Sequence, residues 1–355
     1  MQVPLLLSSL AAGATLAGAL QNVNYGAFTE TATYSIANQL GFFTAYGLNV
    51  TFLQVPNSTY GYATLLNGGY DIMTGTIDNA VNLRFNSNES VTVTGQLDQA
   101  PELTIASTPN ITLVEQLKGL SLMVDSPVSG YAFILRKVLS RYGLYLENGD
   151  YTFQVVGSTV IRYADLVAGS LPNGTAVYAT ILTYPFTSEA RDAPEAQRPI
   201  VLASVSDFIQ PFTSSAFTVR EDALEDIAQR ALIRTFMAAM YSANQYLATP
   251  ARQGCSIEAI QDQLKVSITV AKSAYLSATD PLTGETSPGG NFTVNRQGLQ
   301  NVIDVRSQFG GFASVPAGFN FDKAIVPGLG KLIDYSARDE ALAATVPYSP
   351  ATSGC

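Results

Sequence analysis

At 355 residues, with 47% hydrophobic and 13% charged side chains, the chain has the make-up of a folded protein long enough for two domains of ordinary size. A formal net charge of -9 with no run of Lys or Arg excludes a nucleic-acid partner, whose phosphates need clustered cations. The complete lack of histidine excludes Ser-His-Asp and Cys-His catalysis and any His-containing zinc or iron site.

The chain opens on an apolar run, Val3 to Ala19, broken by Ser8 and Ser9 and ending Ala17-Gly18-Ala19, which is the shape of a cleavable leader over residues 1–19. The mature chain is expected from Leu20, secreted to the extracellular space or cell wall, without membrane insertion after cleavage. The lack of Lys or Arg before the run leaves an uncleaved anchor as the alternative, although the run is shorter than the ~20 residues that span a bilayer.

From Asn24 the order is a β-like run, a polar loop holding Thr29, Glu30 and Thr31, a helix-like stretch, and then Gly41-Phe42-Phe43-Thr44-Ala45-Tyr46-Gly47-Leu48-Asn49-Val50. A strand from Val50 to Val55, a helix closing on Leu65-Leu66-Asn67-Gly68-Gly69, and a strand from Tyr70 to Gly75 follow. Strand, helix, strand, helix, strand with polar loops reads as an open α/β sheet, in which ligands sit beyond the carboxyl ends of the strands. Val91 to Gly95 and Leu103 to Ser107 read as strands flanking Gln96 to Pro101. A short helix over Leu113 to Gly119, a strand from Ser121 to Val124 and a helix from Ala132 to Tyr142 come next.

The order of helix, glycine cluster, strand and polar turn seen at Leu66 to Asn79 recurs where a helix ends at Gly169, a strand runs from Ala176 to Ile181, and Thr183-Tyr184-Pro185 follows. Two similar α/β lobes are therefore expected. The chain returns near Phe208 to Phe212, and Leu224, Ile227, Ala231 and Ile233 at helical spacing make Arg220 to Ala248 helical. Crossings near 96–107 and 205–215 form a hinge, with lobe 1 from residues 20–102 and 213–355 and lobe 2 from 103–212. The helical remainder, interrupted by a loop from Asp280 to Gly290, is expected as scaffold on lobe 1, with Leu299, Val302, Ile303 and Phe309 packing one of its helices there.

Cys255 and Cys355 are the only cysteines, and in an oxidising compartment they read as one bridge, against two unpaired thiols. Asn49, Asn57, Asn88, Asn110, Asn173 and Asn291 each begin Asn-x-Ser/Thr, six where chance gives about three, which fits a glycosylated protein of fungal or similar origin.

Gly41-Phe42-Phe43, then Gly47-Leu48-Asn49-Val50, then Leu65-x-x-Gly68-x-x-Asp71-Ile72 resemble the type II periplasmic solute-binding proteins of the nitrate, sulfonate and taurine group, whose fold the fungal thiamine-pyrimidine synthases share. The resemblance runs to about residue 220. It implies a two-lobed α/β clamshell, each lobe a mixed sheet flanked by helices, closing as a monomer on a small molecule. The pyrimidine synthases rely on a Lys, a nearby His and a Cys-rich motif. Here the corresponding turn reads Thr74-Gly75-Thr76-Ile77-Asp78-Asn79-Ala80 and the Cys-rich motif is missing, so that chemistry is not expected and no cofactor is implied.

On lobe 1 the candidate ligand residues are Phe28, Thr29, Glu30 and Tyr34, then Tyr60, then Thr76, Asp78 and Asn79. On lobe 2 the turn Asp125 to Tyr131 offers Ser126, Ser129, Gly130 and Tyr131 at a helix start, whose free N–H groups and positive end suit an anion or carbonyl. The resemblance implies the same use. Ser158, Thr159, Arg162, Thr183 and Tyr184 complete that wall. Ser126 and Ser129 acting only as caps, half-buried packing of Tyr34, Tyr60 and Tyr131, and an Arg162–Asp165 pair are the plainer alternatives. Several Tyr with one Arg favour a flat, polar or anionic ligand such as a pyrimidine, vitamin precursor or organosulfonate. Two other classes stand beside this reading: a glycosidase-like enzyme using cleft carboxylates among Glu30, Asp78 and Asp98, and a cell-wall or host-interaction protein with a vestigial cleft.

Overall fold

The computed structural model describes residues 19–287, 291–345 and 355. The expected leader lies almost wholly outside the described residues.

Strand β1 (Gln21–Ala27) leads into α1 (Ala32–Gln39), and a turn at Gly41 gives the short α2 (Phe42–Ala45) before β2 (Leu48–Gln54). Then come α3 (Ser58–Leu66), β3 (Ile72–Thr76), α4 (Ile77–Asn86) and β4 (Val91–Gln96). The chain crosses to a second sheet with β5 (Thr104–Ser107), β6 (Ser121–Val124), α5 (Gly130–Ser140), β7 (Thr152–Val155), α6 (Thr159–Ala168), β8 (Ala179–Leu182), α7 (Phe186–Asp192) and β9 (Ile200–Ser204). It returns with β10 (Ser215–Arg220), followed by α8 (Glu221–Glu225), α9 (Ile227–Leu247), α10 (Gln253–Leu264), α11 (Ile268–Ala278), α12 (Arg296–Gln308), α13 (Phe321–Ala324) and α14 (Ser336–Ala343).

The two sheets have one topology. Their strand orders are β2-β1-β3-β10-β4 and β7-β6-β8-β5-β9. In each, three strands are parallel, and the fourth position is filled antiparallel by the strand that has just crossed from the other sheet, β10 or β5. The two-lobed α/β fold is thus as expected, and the repeated glycine-ended helix and strand correspond to α3–β3 and α6–β8. Gly68 and Gly169 both take positive φ, +76° and +74°, where a side chain would be strained.

The patterning places no strands at β7, β9 or β10. β7 and β9 are short edge strands, largely half-buried, so their apolar alternation is weak. The segment from Leu113 to Gly119 makes only a short 3-10 turn over Val114–Leu117. The helical stretch from Arg220 breaks at Asp226, which leaves the helix (ψ 122°) so that its carboxylate can cap α9 by accepting from Gln229 N.

The aromatic core of the first lobe gathers Tyr25, Phe42, Phe43, Phe217 and Phe236, with Phe43 and Phe236 stacked at 5.6 Å. α12 packs differently from expectation: Leu299, Val302 and Ile303 share a core with Val81 of α4 and with Phe133 and Val138 of α5, so this helix bridges both lobes. Cys255 is bonded to Cys355, tying α10 to the terminal residue. Of the Asn-x-Ser/Thr positions, Asn49, Asn88, Asn110, Asn173 and Asn291 are exposed, whereas Asn57 is half-buried and caps α3 by accepting from Tyr60 N. Among the described residues no helix is long and apolar enough to cross a membrane, and no cluster of metal-ligating side chains occurs.

Candidate functional site

Between the lobes lies a narrow, partly open cleft, bordered by the carboxyl ends of the central strands of both sheets and by the two crossings. Loops at those ends carry the polar side chains, because there the chain leaves the sheet with backbone groups still to satisfy. The lobes touch directly beside it: Ser58 N donates to Asp125 Oδ2 at 3.0 Å, and Gly130 N donates to Asn79 Oδ1 at 3.0 Å. At Gly130 the approach is close enough that a Cβ would stand 2.8 Å from Asp78 Cβ.

Phe28, Thr29, Thr76 and Asn79 line the cleft from lobe 1, and Ser129, Tyr131, Thr159, Arg162, Thr183 and Tyr184 line it from lobe 2. The other expected residues stand elsewhere. Tyr34 is buried in the aromatic core against Phe43 and Phe52. Tyr60 is 55% exposed on the outside of α3. Glu30 turns away and accepts from Gln263 Nε2 at 2.7 Å; burial raises its pKa more than that bond lowers it. Ser126 stays inside its own turn, accepting from Val128 N, Gly130 gives its N–H to Asn79, and Ser158 is buried at the start of α6 without a capping bond.

Asp78 is a structural ion. Arg306 of α12 reaches it through Nε, at 2.9 and 3.1 Å from its two carboxylate oxygens, and also through Nη2. The same guanidinium donates to Asn82 Oδ1 and to the Val128 carbonyl and lies 4.3 Å over the Phe133 ring. The carboxylate group of Glu30, Asp78 and Asp98 is therefore not assembled: of the three, only Asp98 borders the cleft.

Arg162 sits in the first turn of α6 and is 2% exposed. Nε donates to the Gly157 carbonyl, Nη1 to Thr180 Oγ1 and the Ile181 carbonyl, and Nη2 to Thr159 Oγ1. Four of its five N–H groups are used and no carboxylate pairs with it; the Arg162–Asp165 pair does not form, and Asp165 Oδ2 has no partner. Burial pulls its pKa down, while Asp125 and Tyr131 pull it back up. Also on the lining, the Tyr184 hydroxyl is buried without a hydrogen-bond partner, and Glu285 is the first of the charged groups that act on it. Tyr131, pushed up to about 12 by burial, stays neutral, its hydroxyl 3.5 Å from Ser214 Oγ. An unused guanidinium N–H and an unsatisfied phenol on the lining are costly unless something from the cleft completes them.

Thr31, Thr74, Gly75, Asp98, Pro101, Asp125, Ser215 and Glu285 also border the cleft. Asp98 accepts from Ala100 N and Ser215 N in the crossings, and burial raises its pKa. Glu285, 1% exposed, comes from the loop after α11, and nothing local in Gly284-Glu285-Thr286 marks it as a site residue. Its oxygens accept from Ala32 N and Thr33 N at 2.7 Å each, and burial, with Asp98 adding to it, pushes its carboxyl up to about 7.

A two-sheet clamshell with a polar cleft at the crossings is the architecture of periplasmic binding proteins. The structure superposes on the nitrate-binding protein NrtA from Synechocystis PCC 6803 with TM-score 0.69 at 14% identity, covering 92% of this chain and 90% of that one. It superposes on the alkanesulfonate-binding protein SsuA from Xanthomonas axonopodis pv. citri with TM-score 0.64 at 16% identity (83% and 94%). A Candida albicans gene product described as having the generic periplasmic-binding-protein fold gives TM-score 0.61 at 20% identity (85% and 93%). At these identities the likeness is one of fold. Residues 29–252 match the NMT1/THI5-like family model, and the chain belongs to that family. No curated protein matches it by sequence.

Proposed function

We propose that this chain is a secreted, non-catalytic solute-binding protein that closes its two lobes, residues 20–102 with 213–355 and residues 103–212, on a small polar molecule. The observation that carries the reading is that the lining holds two unsatisfied groups, the buried Arg162 guanidinium with an unused N–H and no paired carboxylate, and the buried Tyr184 phenol with no partner. A ligand bearing carbonyl or anionic oxygens satisfies both, and Phe28, Tyr131 and Tyr184 supply apolar and aromatic surface for a flat body such as a pyrimidine or vitamin precursor. Thr29, Thr76, Asn79, Ser129, Thr159 and Thr183 contribute further hydrogen bonds. The structural neighbours named for nitrate and alkanesulfonate support a binding role, and the family match supports the same fold-level use. The exposed Asn-x-Ser/Thr positions and the disulfide fit an extracellular or cell-wall location in a fungal or similar source. Native mass spectrometry of the protein taken from its own culture medium tests this directly. A co-purified small molecule released on unfolding is expected, and Arg162→Met should abolish its retention. A protein that carries nothing and shows no saturable thermal shift with any solute would refute the reading.

A further inference from the structure

Helix α1 starts at the cleft, with its N-cap Thr31 on the lining. The positive end of a helix normally draws an anion. Here the chain supplies its own, since both oxygens of Glu285 rest on the first N–H groups of α1. The backbone that carries this carboxylate is held from behind. Asn244 Nδ2 donates both to the Glu285 carbonyl (3.1 Å) and to Thr33 Oγ1 (2.9 Å), and the loop is pinned to the first crossing by Gln99 N donating to the Thr283 carbonyl at 3.0 Å. Gly284 is needed for this path, because a Cβ there would lie 2.4 Å from the Ala278 carbonyl oxygen. Asp98 stands close enough to act on Glu285 electrostatically, and among the described residues neither is in an ion pair with this cleft's only cation, Arg162. Lobe 1 thus brings two carboxyls, Glu285 and Asp98, to the cleft, and lobe 2 brings the Arg162 guanidinium with the Asp125 carboxyl acting on it.

We propose that Glu285 determines specificity: by filling the anion-attracting end of α1 it excludes simple oxyanions from lobe 1 and selects a ligand that offers a cationic or N–H-bearing group to Glu285 and Asp98 and an oxygen to Arg162. A zwitterion or an amino-substituted heterocycle has this chemistry. The inference rests on the solute-binding reading above and adds the ligand's polarity to it.

The test uses the full chain, wild type, Glu285→Gln and Glu285→Ala, with two probe pairs that differ by one ammonium: taurine against ethanesulfonate, and 4-(aminomethyl)benzoate against 4-methylbenzoate. Calorimetric titration should show the wild type preferring the zwitterion at least tenfold in at least one pair. Both variants should invert that preference, gaining at least tenfold for the anion, Gln because the negative charge is removed and Ala because the end of α1 is also vacated. Circular dichroism confirms folding, and Gln, nearly the same shape, guards against collapse of the Ala variant. A wild type that binds ethanesulfonate or 4-methylbenzoate as tightly as its partner, variants without inversion, or no binding of any probe overturns the proposal. So does a co-purified ligand bearing only oxyanions, an outcome that leaves the solute-binding reading intact, whereas a protein that retains no ligand at all refutes that reading instead.

Discussion

Removing Asp78 should cost the protein about 3–5 kcal/mol, because it leaves the Arg306 guanidinium buried with no counter-charge. Asp78 is 4% and Arg306 1% exposed, so water cannot replace the lost partner. The remaining contacts of Arg306, to Asn82, the Val128 and Gly311 carbonyls and the Phe133 ring, are hydrogen bonds to neutral groups and a cation–π contact, and these do not neutralise it. Arg306→Met should cost a similar amount by stranding the carboxylate. The pair Asp78→Leu with Arg306→Met removes both charges at once and should cost at least 2 kcal/mol less than the sum of the singles. Urea unfolding followed by circular dichroism, with m-values compared to confirm a common transition, measures all four proteins. Single substitutions costing under 1 kcal/mol, or strictly additive costs, would refute the view that Asp78 is a structural ion and return it to the list of ligand groups.

Glu285 gives a pH signature of opposite sign to an ordinary paired carboxylate. Its folded value of about 7 lies above the 4.5 of an exposed Glu, so the folded chain keeps a proton that the unfolded chain has released. Stability is full below pH 4.5 and declines as pH rises through 7, by up to about 3 kcal/mol, and Glu189, also raised to about 7 by burial, adds in the same direction. Urea midpoints should therefore rise from pH 7.5 to 5 and do so less steeply in Glu285→Gln; an unchanged slope contradicts the assignment. Gly130→Ala should hold the lobes apart, since the new Cβ would meet Asp78 Cβ at 2.8 Å and its Oδ2 at 3.0 Å. Small-angle scattering should show a larger radius and ligand affinity should fall about tenfold, while stability to urea changes by less than about 1 kcal/mol; an unaltered radius would show that the approach relaxes without opening. Cys255→Ser with Cys355→Ser releases a loop of 100 residues and should cost about 2–4 kcal/mol in the urea assay, with a loss under 0.5 kcal/mol ruling out a stabilising role.

What the sequence discloses is what short range determines. Gly68 and Gly169 end helices because they alone accept positive φ cheaply, and the strands that follow, β3 and β8, hold the same place in the two sheets. Reading the loops after those strands therefore found the cleft. Which side chain of a loop faces inward is a finer matter. Asp78 and Asn79 are neighbours in the first turn of α4, about 100° apart around the helix axis, so Asn79 borders the cleft while Asp78 faces Arg306. Tyr34 lies in the first turn of α1 and points at the core for the same reason. Glu285 and Arg306 were illegible on different grounds: their partners lie 253 and 228 residues away, and neither stands in a local pattern that demands a buried charge.

That distance also changes the role of the C-terminal third. Expected as scaffold on lobe 1, it reaches lobe 2 on two sides of the molecule. At α11, Ser267 Oγ donates to Asp192 Oδ2 and Ser273 Oγ meets Ser188 Oγ; at α12, Lys137 Nζ donates to Gln308 Oε1 and Arg306 holds the Val128 carbonyl. The Ser267 and Lys137 bonds are exposed, so opening exchanges them for bonds to water at a net cost of about 0.5–1.5 kcal/mol each. Arg306 stays with lobe 1 through Asp78 and would give up only Val128 and the Phe133 stack. The Ser58–Asp125 and Gly130–Asn79 bonds go at the same time. These bonds sum to a few kcal/mol, and parting α12 from Phe133 and Val138 of α5 would add the cost of exposing their shared apolar surface. On the proposed clamshell closure, ligand affinity should respond to substitutions at Lys137 or Ser267 that never touch the cleft.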